Sequence, residues 1–215
     1  MPAERASTLV YNEMRSKIIA GTLSPGISLV ETELAEQYGV SRNTIKKTLL
    51  QLEGENLVSI EPNKGAKVRS YSLEEVLEYL EVRSALEGLI AKLATPTISD
   101  ADILAMKQCF EKMQMCLDQQ QVLEYSKLNG TFHEILFHAC PNRTLVNMTL
   151  DLKNRIHKYS AKATLIPGRH QQSLAEHAAI LEALSAKEPE RAERLVREHI
   201  ANVRQVFEEH HNLLF

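Results

Sequence analysis

The sequence is poor in cysteine and has no long uninterrupted apolar segment. Its three cysteines, Cys109, Cys116 and Cys140, form no C-x-x-C pair and are odd in number. That pattern argues against a disulfide framework and favours a reducing compartment. No apolar run approaches the roughly 20 residues that a membrane-spanning helix needs, and no secretory leader is visible. These absences predict a soluble, cytoplasmic protein.

Charged residues and histidines are unevenly distributed along the 215 residues. Residues 1–70 contain nine Lys or Arg against eight Asp or Glu, a net charge of +1. The remainder has a net charge of −4, which gives −3 for the whole chain, and it holds all eight histidines. A mildly basic head and an acidic, histidine-bearing body are typical of a protein whose two ends have different partners.

Residues 1–70 have the pattern of a small domain that mixes helices with a hairpin. Leu9, Met14 and Ile18 lie at helical spacing, which predicts the first helix. Asn56 stands where a left-handed residue would end the third helix. The turn sequence Asn63-Lys64-Gly65 separates two β-rich segments. The predicted helices cover residues 8–20, 31–38 and 41–52, and the predicted strands cover 57–62 and 66–71.

From residue 72 onward the pattern is helical. Ser72 and Glu75 form a capping box that opens a helix, and this helix carries Val82 and Leu89 among its apolar residues. The predicted helices cover residues 72–94, 99–117, 121–139, 142–164, 170–185 and 189–212. About six helices with short connections predict an antiparallel bundle. The predicted fold class is therefore mainly α, with one domain over 1–70 and a helical bundle over 71–215.

The segment LAEQYGVSRNTIKKTLLQLE has the spacing of a helix-turn-helix, with a turn at Gly39 and Ser41 as the N-cap of the second helix. Arginine pairs with guanine, asparagine with adenine, and lysine with phosphate. The alternative is an ordinary solvated helix face. The outward positions of the second helix are Arg42, Asn43, Thr44, Lys46 and Lys47, and Lys64 and Gly65 form the tip of the hairpin.

The segment GTLSPGISLVETELAEQYGVSRNTIKKTLLQLEGENLVSIEPNKGAKV resembles the winged helix of GntR-family repressors over its full length. The resemblance implies that Lys46 lies where the family has an arginine, so base preference is expected to differ. The additional Lys47 is expected to strengthen sequence-independent, salt-dependent binding. The DNA contacts that the resemblance implies are Ser41, Arg42, Thr44 and Lys46 in the recognition helix and Lys64 and Gly65 in the wing.

Histidines in the predicted bundle are spaced so that they can share a site. Asn129 and His133 are four residues apart and lie on one helix face, while His177 and His199 lie on two later helices. Bundles commonly build metal sites from facing helices, and neutral imidazoles suit Zn²⁺ or Ni²⁺. Spacing alone leaves open the alternative that each histidine is a hydrogen-bonded core residue.

Residues 73–210 resemble the helical ligand-binding (FCD) domain of FadR-like GntR regulators, in the six-helix VanR-like branch. The matching segments are EVRSALEGLIAKLA, LNGTFHEILFHACPN, LAEHAAILEAL and the final EHI. The resemblance implies a divalent metal, with an asparagine replacing the family's usual aspartate; the implied ligands are Asn129, His133, His177 and His199. Arg83 and Arg169 are candidate anchors for an acidic effector. For Arg83, a surface salt bridge with Glu87 is an equal alternative.

The family fold implies a homodimer whose recognition helices read a near-palindromic DNA operator. A small organic acid bound in the bundle is expected to change DNA affinity and most simply to relieve repression. One alternative is a helical metal-dependent hydrolase with an accessory DNA-binding head. It lacks an evident general base, since Glu134 and Glu176 are each expected to project about 100° away from the adjacent histidine. Another is a regulator whose bundle only dimerises.

Overall fold

The computed structural model of the chain describes residues 3–62, 64–163 and 166–214. Within those ranges it contains nine helices and one small three-stranded sheet, so the predicted mainly α fold is confirmed. The chain divides into two compact units, Met1–Tyr71 and Ser72–Phe215. No helix in the described ranges is long and apolar enough to cross a membrane.

The first unit consists of three helices and a small antiparallel sheet. Its elements are α1 (Ala3–Ile19), β1 (Ser28–Leu29), α2 (Glu31–Tyr38), α3 (Arg42–Gly54), β2 (Val58–Glu61) and β3 (Gly65–Val68). The strand order is β1-β3-β2, with Ser28 opposite Lys67 and Ile60 opposite Ala66. Strand β1 was not predicted, because two residues are too few to show alternation. Asn63 of the predicted turn lies outside the described residues.

Local signals set the boundaries of the helices in this unit. The Ser41 hydroxyl accepts a hydrogen bond from the Thr44 amide at 3.1 Å, so Ser41 is the N-cap of α3. Asn56 has φ 59°, which confirms the left-handed residue expected after that helix. On α1, Leu9 is 53% exposed, whereas Val10 is buried. The core between α1 and α3 is formed chiefly by Val10, Met14, Ile45, Leu49 and Leu52.

The second unit is a bundle of six helices. They are α4 (Leu73–Ala94), α5 (Asp100–Asp118), α6 (Val122–Ala139), α7 (Arg143–Ala163), α8 (Arg169–Ser185) and α9 (Pro189–Leu214). The predicted capping box at Ser72 and Glu75 is present. On α4, Val76 and Leu80 are fully buried, whereas Val82 and Leu89 are 48% and 38% exposed.

Helix packing brings widely separated parts of the chain together. Helix α4 packs along α9, α5 packs against α6 and α8, and α8 packs against α9. The apolar core of the bundle includes Phe132 and Leu136 from α6, Ile180 from α8 and Ile200 from α9. Three of these helices therefore meet in the interior, and each contributes one histidine to the site described next.

Candidate functional site

Three buried histidines converge inside the bundle. His133 of α6, His177 of α8 and His199 of α9 each place a ring nitrogen within 4.8 Å of those of the other two. The Nε2 atoms of His133 and His177 are 3.1 Å apart. The structure thus brings together the three histidines that the sequence placed on separate helices.

Hydrogen bonds at Nδ1 orient two of these rings. Nδ1 of His177 lies 2.5 Å from the carbonyl oxygen of Ser173, and Nδ1 of His199 lies 2.5 Å from Oε2 of Glu176. Carbonyl and carboxylate oxygens only accept, so each Nδ1 donates, and in the neutral form of either ring Nε2 carries the lone pair. An Nδ1–H bound to an oxygen acceptor is the arrangement typical of metal-ligating histidines.

Three buried polar atoms next to the histidines have no hydrogen-bond partner within the described part of the chain. They are Oδ1 of Asn129, Nδ1 of His133 and Oε2 of Glu87. Nδ1 of His133 is 4.0 Å from Oε2 of Glu87, so a small shift would give the third ring a carboxylate acceptor. Unsatisfied buried polar atoms are costly. Imidazole lone pairs and an orphaned amide oxygen are a donor set that fits a divalent ion.

Burial keeps the imidazoles of His133 and His177 neutral. It lowers the pKa of His133 well below 6.5, with the Lys153 charge acting in the same direction. It also lowers the pKa of His177 to about 3, aided by His199. Since the neutral ring is the form that binds a metal, these two histidines need not lose protons to bind one near neutral pH.

Glu176 connects the site to the buried Arg169. The sequence interpretation named both residues but missed the contact between them. The carboxylate of Glu176 accepts two hydrogen bonds from Arg169, at 3.0 and 2.9 Å, one from His199, and one from Asn202 at 2.8 Å. Burial alone would raise the pKa of Glu176, but the bonds from His199 and Arg169 outweigh it and lower the pKa to about 2. Glu176 turns from His177 on its own helix and reaches the site through His199 on α9, a contact that the sequence argument did not consider.

The two arginines expected to anchor an effector are already paired. Arg83 contacts Oε1 of Glu87 at 2.7 and 2.8 Å, with both side chains buried. The ion pair considered as the alternative role of Arg83 therefore forms, although in the interior rather than at the surface. Arg169 is held by Glu176 in the same way. Both arginines nevertheless line a cavity beside the histidines, so effector binding by them stays a prediction.

The cavity has a volume of about 160 Å³ and includes a lysine that the sequence interpretation did not single out. Its lining contains Asn129, His133 and His199 together with Lys153 of α7. Lys153 lies one turn from buried Thr149 and from buried Ile156. The sequence signal that could have identified Lys153 is its position on the apolar face of an amphipathic helix, where a lysine is unusual.

The first unit presents the expected DNA-contacting residues at its surface. Ile45 and Leu49 hold the inner face of α3 against the core, which leaves the N-terminal half of the helix free outside. Gly65, at the tip of the hairpin, has φ 84°, a value that disfavours other residues. Exposed positions are Ser41, Arg42, Asn43, Lys46, Lys47, Lys64 and Gly65, and Thr44 is partly exposed.

A carboxylate in the wing neutralises two of its lysines. Glu61 of β2 pairs with Lys67 at 2.7 Å and with Lys64 at 2.9 Å. Hydrogen bonds from Lys67 and Lys64 lower the pKa of Glu61 to about 2. Lys67 and Glu61 were both missed, because the β2–β3 register that joins them is not evident in a single sequence.

A helix-turn-helix with a β-hairpin wing, followed by a helical bundle with an internal polar cavity, defines a two-domain type of DNA-binding transcriptional regulator. Residues 6–68 match the family model for bacterial regulatory proteins of the gntR family, and residues 78–202 match the FCD domain. The chain belongs to the GntR family of bacterial transcriptional regulators and carries an FCD domain.

Curated relatives of this family align over most of the chain. The Bacillus subtilis regulator YdhC is 28% identical over 190 residues, covering 88% of this chain and 85% of its own length. The Escherichia coli repressor GlaR is 26% identical over 202 residues, covering 88% and 90%. The E. coli repressor RspR is 22% identical over 212 residues, covering 97% and 93%. The family and these relatives are transcriptional regulators and not enzymes, which sets the hydrolase alternative aside.

Solved structures show the same fold. The E. coli McbR/YncC structure superposes with a TM-score of 0.77 at 22% identity, over 95% of this chain and 98% of the other. A GntR-family regulator from Pseudomonas syringae pv. tomato gives 0.54 at 26% identity, over 99% and 88%. The winged helix and the FCD bundle of this chain thus have the fold of known GntR regulators.

Proposed function

We propose that this regulator is a homodimeric repressor that binds a near-palindromic operator and releases it when a small carboxylate binds in the FCD domain at a divalent metal, Zn²⁺ or Ni²⁺. Two of its relatives, RspR and GlaR, are named repressors. The exposed basic residues of α3 and the wing support DNA contact, since arginine and lysine dominate phosphate and guanine recognition.

The observation that carries the metal part of the proposal is the convergence of three buried imidazoles beside an orphaned amide oxygen. His133, His177 and His199 would hold the ion, with Oδ1 of Asn129 as a fourth ligand. Bound there, the ion supplies positive charge and open coordination positions for a carboxylate. The remaining requirement, fixed ring orientation, is met for His199 by Glu176.

The helices that carry the ligands would couple the site to the rest of the protein. Helices α6, α8 and α9 each contribute one histidine, so a ligand that draws these side chains together favours one arrangement of the three helices. DNA affinity then changes by the difference in ligand binding between the two arrangements.

The first test is the metal content of the purified, untagged protein by elemental mass spectrometry. The variant His133→Ala/His177→Ala is compared with His138→Ala, which removes an exposed histidine from the same helix. We expect close to one metal per chain in the wild type and in His138→Ala, and almost none in the double variant. No metal in the wild type, even after incubation with Zn²⁺ or Ni²⁺, would contradict the proposed site.

The second test addresses repression directly. An operator is selected from random duplexes with the metal-loaded protein, and its release by small carboxylates is followed by fluorescence anisotropy. We expect at least one acid to weaken binding to the wild type but not to the double variant. Release that is equal in both proteins would place the effector away from the histidines.

A further inference from the structure

One cation in the cavity lacks an acidic partner. Arg83 is neutralised by Glu87, and Arg169 by Glu176. Within the described ranges no carboxylate oxygen lies within 4.0 Å of Nζ of Lys153, although Glu87 and Glu134 attract it from farther away. The lining of the cavity therefore has an excess of one positive charge even before a metal binds.

The fold holds Lys153 in this position. The lysine lies on the inner face of α7 between Thr149 and Ile156, and both of those residues are fully buried. Its Nζ lies 4.6 Å from the centre of the Phe137 ring, one turn after His133 on α6. An aromatic face attracts a cation less strongly than a carboxylate does, so the site retains the capacity to bind an anion.

The cavity limits the size of that anion. Its volume of about 160 Å³ is close to the ~150 Å³ that holds one benzene molecule. A ligand of roughly six to ten non-hydrogen atoms is therefore expected on the same scale. Four-carbon acids fall within that range.

We infer that the effector is a small dicarboxylate, with one carboxylate at the histidine cluster and the second accepting hydrogen bonds from the ammonium group of Lys153. This inference rests on the proposed function for the first carboxylate and on the structure around Lys153 for the second. A monocarboxylate leaves the partly buried ammonium group of Lys153 without a carboxylate counter-ion, which is unfavourable. Lys153 thereby sets the class of acid that the site accepts.

The test compares succinate with butyrate, which have the same four-carbon chain but differ by one carboxylate. Binding to zinc-loaded wild-type protein is measured by calorimetry, and the zinc content of each sample is determined. A charge-assisted hydrogen bond corresponds to a preference of roughly 10- to 100-fold for succinate. Equal binding of the two acids to the wild type, or binding of neither, would overturn the inference without any variant.

Lys153→Met then assigns the preference to this residue, with Lys127→Met as the control. Lys127 is an exposed lysine of α6 outside the cavity lining. In Lys153→Met we expect succinate to bind about as weakly as butyrate, whereas butyrate binding and zinc content are unchanged; Lys127→Met should resemble the wild type. A preference that persists in Lys153→Met would refute the role of this lysine.

The zinc measurement separates this inference from the proposed function. Zinc-loaded protein that binds both acids equally would leave the metal site standing and dismiss the dicarboxylate. Protein that takes up no zinc but still prefers succinate through Lys153 would contradict the metal site and support the preference for a dicarboxylate.

Discussion

Asn129 is the single residue at which the proposed metal site departs from the family pattern. Its amide oxygen is buried and has no hydrogen-bond partner in the described part of the chain. It lies one turn before His133 on α6, and both residues line the cavity. An amide brings a lone pair but no charge, so this position tests whether the oxygen is a ligand.

Asn129→Asp should raise the affinity for Zn²⁺ by at least about ten-fold, because affinity at oxygen-containing sites depends on the charge of the ligands. The affinity is measured by competition with a chelating dye. Asn147→Asp makes the same charge change at an exposed position on α7 and should have little effect. An unchanged affinity in Asn129→Asp would exclude Asn129 as a ligand.

In the DNA-binding unit, the single residue whose charge is most informative to change is Glu61. It pairs with Lys64 and Lys67, so Glu61→Gln should release both lysines for phosphate contacts and tighten binding to arbitrary duplex DNA. The loss of one negative charge near the phosphates corresponds to a tightening of roughly five-fold. The salt dependence should also become steeper. Both are measured by fluorescence anisotropy at several salt concentrations.

The effect of Glu61→Gln should be the same at pH 6 and pH 8. Lysine pairing depresses the pKa of Glu61 to about 2. Glu61 is therefore ionised at both pH values. The stability that its ion pairs contribute is present above the pKa of glutamate in the unfolded chain and is lost as the pH falls from there toward 2. The control is Glu78→Gln, an equal charge change in the bundle. Equal tightening in both variants would make this a general charge effect.

At the scale of helices, two glutamates of α8 bind α9 in very different surroundings. Glu176 binds Arg169 on its own helix, and His199 and Asn202 on α9, in a mostly buried setting. Glu182 of α8 contacts Arg191 of α9 at 3.0 Å with its side chain 68% exposed. Substitutions of these two glutamates can therefore be compared as a buried and an exposed case within one pair of helices.

Glu176→Gln should lower the free energy of unfolding by about 3 kcal/mol, because it leaves the buried Arg169 without its full counter-charge. It should also weaken metal binding by roughly 10- to 100-fold through the loss of the acceptor that orients His199. Urea unfolding followed by circular dichroism and a metal titration measure the two effects. Glu182→Gln should leave both nearly unchanged, since exposed pairs contribute little. Similar losses in the two variants would contradict the assigned role of Glu176.

The predictable part of the structure was local. Ser41 and Ser72 marked helix starts that the structure confirms, and the four-residue spacing of Asn129 and His133 placed both side chains at one cavity. Contacts between helices were not predictable, because no single-helix pattern shows which neighbour a side chain reaches. Glu176 was therefore judged by its angle to His177, although its contact is with the next helix.

At the scale of the whole molecule, the histidines belong to only one of the two units. Metal without effector should therefore stabilise the bundle and leave the winged helix unaffected. At a free metal concentration 100 times Kd, the stabilisation is about 2.7 kcal/mol. Hydrogen exchange should slow in α6, α8 and α9 but not in α1, α2 or α3. Equal protection of both units on metal addition would contradict this prediction.

His133 and His177 are separated by 44 residues of chain, and His199 belongs to the last helix. An ion held by all three would act as a reversible crosslink that closes long loops, the kind of constraint that restricts an unfolded chain most. Opening the bundle would then require loss of the ion, so the rate of ion release would govern the lifetime of the folded protein. Metal supply to the cell would thus set how long each copy of the regulator survives, independently of any signal that the effector conveys.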